Sequence, residues 1–270
     1  MYNREITPRL DKIASYRGSV GHSALEAYYR ELKEGSSVEF SRVAAYDVLK
    51  EKAKEAVESG PEGMNFADIC VKLKPVLDKY FIYYPEESFR VLEVEKVFEA
   101  IIDDDINYGM ILDLLVEYVS GPNRGEIAVI DHKFLYNFKS VEELEMDGQV
   151  PKYVQTVRAN GIPVTMGVFN QIRWREMKLI QPSYYLRRIP ARLNAKATEV
   201  IWNEQVHTAK EIRNTPSLPI RTLSGFICKN CDFQTLCRAE MTGESTETML
   251  AINFKPRKRP LKNLARIEQI

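Results

Sequence analysis

The 270-residue chain has no apolar run approaching the ~20 residues that a membrane-crossing helix needs. Its opening Met1-Tyr-Asn-Arg-Glu5 is not followed by the apolar stretch of a secretory signal. Both absences point away from the membrane and towards the cytoplasm. Net charge is also missing, with 38 Lys and Arg against 38 Asp and Glu. The basic excess common in nucleic-acid binders is therefore absent, although an acidic metal site inside a basic groove would cancel to the same figure. There is no Walker A sequence, Gly-x4-Gly-Lys-Ser/Thr, so the chain has no evident ATP motor of its own. No internal repeat is visible. Cysteines number four and histidines three. Disorder is excluded by what is abundant: 44% of residues are hydrophobic and 10% aromatic, enough for a substantial core.

Residues 21–34 and 66–82 have helical apolar spacing, as do 41–58, with Ser41 placed to cap the last. A loop is expected at 59–63. The character changes at residue 89, where apolar and polar residues alternate as in a half-buried strand. Further strands are expected at 110–119 and 126–134, joined by the turn Gly121-Pro-Asn-Arg-Gly125, and then at 164–172 and 184–189. Residues 141–160 read as mostly helical, with Pro151 near a helix start, and 191–213 as a long helix. Loop, cysteines and a basic tail over 255–262 complete the chain. The order predicts an α/β fold: a mixed sheet flanked by helices, with a helical annex. The expected divisions are a helical region at 1–88, the core at 89–215, and a cysteine segment with the tail at 216–270, all in one structural unit.

Two neighbouring strands each present one acid among aliphatic residues: Asp113 in Ile111-Leu-Asp-Leu-Leu115 and Asp131 in Ala128-Val-Ile-Asp-His-Lys133. A carboxylate in such surroundings costs free energy unless something compensates it, and a divalent cation does so well. Hard oxygen ligands suit Mg²⁺ or Mn²⁺. Lys133 lies two residues after Asp131, on the same face of the strand, where it can hold an attacking water. The common alternative for an Asp-x-Lys tripeptide is a surface ion pair. Here the apolar strand and the second acid favour phosphodiester hydrolysis.

Asp113 followed by Asp131-His132-Lys133 resembles the PD-(D/E)XK nuclease superfamily, most closely its RecB-like exonucleases and the iron–sulfur nucleases of CRISPR adaptation. Supporting motifs occur in order across residues 18–240. Gly18-Ser-Val-Gly-His22 resembles the family's early helix, whose histidine is a metal ligand. Gln149-Val-Pro-Lys-Tyr153 fits a Gln-x3-Tyr motif on the helix after the catalytic strand. Glu95 resembles an acid on the strand before the metal-binding hairpin and is read as a supporting acid outside the ligand set. The resemblance implies a restriction-endonuclease-like core, with His22, Asp113 and Asp131 holding Mg²⁺ or Mn²⁺ and the backbone carbonyl of His132 as a candidate further ligand. It makes Lys133 the residue that orients water, and Gln149 and Tyr153 the residues that position Lys133 or DNA. The His132 imidazole is expected on the opposite face.

Cys228-x2-Cys231-x5-Cys237 resembles the cysteine trio that binds a [4Fe–4S] cluster in such nucleases. A cluster takes four thiolates, and residues 1–21 contain no cysteine. Three completions stay open: a cysteine preceding this chain, Cys70, or Zn²⁺ in place of the cluster with His207 or another group as fourth ligand. The expected activity is exonucleolytic cleavage of single-stranded DNA or duplex ends, in recombination, repair, or phage or CRISPR DNA processing. Phe134, Tyr136, Phe138 and Trp174 are candidates to stack bases, and Arg173, Arg175, Arg187 and Arg188 to hold phosphates. A helicase or recombination protein could supply a motor, and a homo-oligomer is compatible with the sequence. The alternative is an inactive DNA-binding or assembly subunit that keeps the fold. A zinc hydrolase built on the cysteines ranks lower.

Overall fold

Apolar alternation and helical periodicity resolve into a sheet with helices on both faces. The computed structural model describes residues 6–8, 13–58, 64–103, 106–175, 181–191, 194–214, 224–229 and 231–256. The expected loop at 59–63 and the basic tail beyond 256 lie outside them. Among the described residues the order is β1 (Ile6–Pro8), α1 (Ile13–Lys33), α2 (Val38–Glu58), α3 (Met64–Tyr83), β2 (Phe89–Asp103), β3 (Ile106–Tyr118), β4 (Ile127–Leu135), α4 (Val141–Glu145), α5 (Gln149–Ala159), β5 (Met166–Arg173), β6 (Leu186–Ala191), α6 (Ala195–Asn214), α7 (Gly225–Lys229), α8 (Gln234–Thr242), α9 (Glu247–Asn253) and β7 (Phe254–Pro256). The chain divides into two compact units, Ile13–Arg213 and the flanking Met1–Lys12 with Asn214–Ile270.

In the larger unit the sheet order is β2-β3-β4-β5-β6. Only β4 and β5 run parallel, and a parallel pair needs a crossover, which α4 and α5 supply. Both faces of the sheet are covered. Leu114, Val116, Ala128 and Ile130 join α1, α2 and α3 in one core. Leu112, Leu115 and Val129 join α5 in the other. This two-sided burial is why β3 and β4 read as near-continuous apolar runs. Helix α5 buries Val150, Val154 and Val157 along one stripe. Its Pro151 sits in the first turn, where no N–H is required.

Some boundaries differ from the sequence-based expectation. Helix α1 begins at Ile13, about two turns earlier than the apolar pattern at 21–34 suggests, because Gly18 and Gly21 break that pattern without ending the helix. Ser41 does not cap α2. Its hydroxyl donates to the Ser37 carbonyl, and Ser37 Oγ instead accepts from the Phe40 N–H. In the smaller unit β1 pairs antiparallel with β7, Phe233 stacks on Phe254, and three short helices occupy a stretch expected to be loop. Among the described residues no helix is long and apolar enough to cross a membrane.

Candidate active site

The site lies where β3 and β4 stop pairing with each other. The β3–β4 ladder ends at Leu114–Ile130, and the next residue on each strand is Asp113 and Asp131. There the His132 N–H donates to Asp113 Oδ2, 2.8 Å away, in place of a backbone acceptor. The β2–β3 ladder passes from Val94–Leu114 to Lys96–Leu112 and skips Glu95 and Asp113. Glu95 has φ of 45°, the one positive value at a non-glycine residue among those described. A left-handed backbone at such a residue costs about 1–3 kcal/mol and survives only where its surroundings impose it. Both interruptions meet at Asp113.

Helix α1 brings His22 to this point. It comes close because Gly21 faces β4 without a side chain: a Cβ there would lie 2.5 Å from the Phe134 ring. His22 Nδ1 is 3.4 Å from Asp113 Oδ2. One candidate ligand atom from each of His22, Glu95 and Asp113 falls within 4.8 Å of the others. This group differs from the sequence-derived ligand set in one member. Glu95, read from sequence as a supporting acid, stands with His22 and Asp113, while the buried Asp131 is paired with a lysine.

Lys133 Nζ is 2.8 Å from Asp131 Oδ2 and donates to Oδ1 at 3.1 Å. The directional hydrogen bond is met only at Oδ1, so Oδ2 is buried without one. Lys133 also donates to Gln149 Oε1, and Gln149 Nε2 donates to the Tyr153 hydroxyl. Gln149 and Tyr153 are one turn apart on α5, which packs over this face of the sheet. His132 points to the other side. Its ring is 5.6 Å from Tyr29 and stacked on it, and its Nδ1 lies 2.8 Å from Asn170 Nδ2.

Burial dominates the electrostatics. It raises the carboxyl pKa values of Asp113 and Asp131 above the usual range and pushes Glu95 up to about 7, aided by the neighbouring charges of Asp113 and Glu26. It lowers that of His22, favouring the neutral imidazole. Carboxylates crowded in a partly buried site beside a neutral imidazole, with Asp131 Oδ2 unbonded, form a donor set suited to a divalent cation. The residues therefore fit Mg²⁺ or Mn²⁺.

The cysteines are not gathered in the same way. Cys228, Cys231 and Cys237 are free thiols, and among the described residues they do not form a group of sulfurs within 4.8 Å, as His22, Glu95 and Asp113 do with their ligand atoms. They offer three ligands to a group that takes four. Cys70 is buried on α3, and His207 lies 3.4 Å from Glu211 on α6.

Two of the candidate DNA contacts are engaged in the fold. Arg188 is buried in an ion pair with Glu87, Nη1 to Oε2 2.6 Å, so it cannot hold a phosphate. Phe134 is half-buried and packs against His22 and the position of Gly21. Arg173 and Arg187 both lie over the Phe138 ring. Tyr136 and Trp174 meet edge to face at 4.9 Å, with Arg175 over Tyr136.

A family model described as the PD-(D/E)XK nuclease superfamily matches residues 2–238. No curated protein matches the chain.

Proposed function

Because the chain belongs to the PD-(D/E)XK nuclease superfamily, we propose that it is a metal-dependent deoxyribonuclease of RecB-like type that degrades single strands or duplex ends. The observation that carries this reading is Lys133, fixed between Asp131 and Gln149 beside the gathered His22, Glu95 and Asp113. These three residues with Asp131 would hold Mg²⁺ or Mn²⁺, which supplies Lewis acidity and neutralises charge on the phosphate under attack.

The chain's own residues then do the positioning. An ammonium has three N–H donors. Asp131 and Gln149 take two of those on Lys133, and the third is left for the oxygen of the attacking water. Gln149 can serve only if its amide oxygen faces Lys133, and the Tyr153 hydroxyl keeps it so by accepting from Nε2. A lysine placed this way fixes one reactant before the reaction begins. DNA is the expected partner, and any motor would come from a helicase or recombination protein.

The test is degradation of end-labelled single-stranded, double-stranded and circular DNA with Mg²⁺, Mn²⁺ or EDTA, beside Lys133→Ala and Asp113→Ala. Wild-type protein should cut linear DNA from its ends only with metal, and both variants should lose about 100-fold or more. Equal inertness of all three proteins would reduce the chain to a binding subunit.

A further inference from the structure

A cavity of about 310 Å³ opens at the carboxyl ends of the parallel strands β4 and β5. In open α/β sheets the crevice outside the carboxyl ends of parallel strands is a general ligand position. Three aromatic residues form part of its wall: Tyr136, just past β4, Trp174, just past β5, and Tyr185, just before β6, over whose ring Lys79 lies. Arg17 on α1, Lys72 and Lys79 on α3, and Arg175 supply the charge. None of the described lining residues is acidic. Lys72 is paired with Asp68 at 2.7 Å. Among the described residues Arg17, Lys79 and Arg175 have no acidic partner. In a chain of zero net charge, this is a concave concentration of one sign, which focuses positive potential.

The guanidinium of Arg17 lies over the Trp174 ring at 3.3 Å and that of Arg175 over Tyr136 at 4.9 Å. Flat cations already laid on aromatic faces present planes on which a nucleobase can stack. Paired bases within a duplex have their faces covered by neighbours, so only an unpaired strand can use such planes. The cavity also flanks the candidate site. Arg17 precedes His22 by five residues on one helix, about 7.5 Å along its axis, and Tyr136 follows Lys133 by three residues, about 10 Å along an extended chain.

We propose that this cavity is a subsite for unpaired DNA beside the scissile phosphate, with a base stacked at Trp174 and Tyr136 and backbone phosphates on Arg17, Lys79 and Arg175. Its place in a reaction rests on the nuclease reading above, but its binding chemistry does not.

The test is fluorescence anisotropy in EDTA, so that nothing is cut. The probes are a labelled thymidine oligonucleotide of about 12 nucleotides, within the span of one single-strand site, the same strand carrying abasic sites, and a blunt hairpin duplex. Wild type should prefer the intact single strand. Trp174→Ala should weaken that binding roughly 10-fold or more, leave the duplex unchanged and erase the preference over the abasic strand. Trp174→Phe, which keeps a ring, should bind within about threefold of wild type. Arg175→Glu, on an exposed residue, should weaken single-strand binding and lower its salt dependence by about one phosphate contact. Should Trp174→Ala fail to fold, the Arg175 variant decides. Single-strand binding unchanged in Trp174→Ala, or in Arg175→Glu, overturns the proposal. Base-dependent binding without cleavage under any metal would retain the subsite and remove the nuclease reading. Cleavage that needs Asp113 but binding that ignores Trp174 would do the reverse.

Discussion

At the residue scale, Glu95 concentrates the cost of the site. Its backbone is left-handed, and its carboxyl, pushed up to about 7, sits close to Asp113. An acid whose folded-state pKa is raised holds its proton better folded than unfolded. Its contribution to stability is complete below the unfolded value and is lost as pH rises through the folded one. For Glu95 that window runs from about pH 4.5 to about pH 7, and burial raises Asp113 and Asp131 in the same direction. In EDTA the thermal midpoint should therefore fall between about pH 5 and about pH 8. Glu95→Gln removes one charge at similar shape, so it should melt above wild type at the alkaline end and near it at the acid end, by about 2–4 °C per kcal/mol relieved. Mn²⁺ should raise the wild-type midpoint, by about 2.7 kcal/mol of stability at a hundredfold excess over Kd, and should raise that of Glu95→Gln less. A variant that melts below wild type across the whole range would show that Glu95 is not repelled by its neighbours.

At the element scale, the contact of α1 with β4 sets the reach of His22. Gly21 has no room for a side chain against Phe134, so Gly21→Ala must push the helix out or turn the ring. Overpacking of this kind costs about 1–3 kcal/mol. Because His22 is the next residue, cleavage should fall on the order of tenfold beyond what stability explains. Phe134→Leu in the same chain should recover much of both losses, in urea melts and in cleavage rates. Two additive single losses would show that the helix seat is elsewhere. This contact also marks what the sequence could reveal. Strands β3 and β4 and the acids on them were legible because local periodicity assigns each residue to a face, whereas Gln149 and Tyr153 were singled out only by their resemblance to a family motif. The first two turns of α1 were not legible, since Gly18 interrupts the apolar pattern while long-range packing keeps the helix. Glu95 was legible as a strand residue but not as a neighbour of His22 and Asp113. A period of two places its side chain from the regular ladder, and it is the interruption of that ladder that turns it towards Asp113.

At the scale of the larger unit, the least legible feature is a polar chain through an apolar core. Arg187-Arg188 on a strand reads as a solvated basic pair, yet Arg188 is buried because its partner, Glu87, lies in the segment between α3 and β2, 101 residues away. Tyr29 on α1 donates to the same carboxylate at 2.6 Å. Arg188 donates to the Tyr80 hydroxyl at 2.9 Å, and Asn170 links Tyr80 to His132, the residue between Asp131 and Lys133. Edge strand, two helices and the strand bearing Asp131 and Lys133 thus share one network. A pair this dry is not a simple gain, because desolvating two charges can offset their attraction, whereas removing one partner strands the other. Glu87→Gln should therefore cost about 3–5 kcal/mol in urea unfolding. Glu87→Leu combined with Arg188→Met, which leaves neither charge, should be more stable than the single variant. The same comparison separates packing from chemistry. If the double variant folds but cleaves slowly, the network orients the strand carrying Asp131 and Lys133 through Asn170 and His132. If it cleaves at the wild-type rate, the network only fixes how the helices and the edge strand pack.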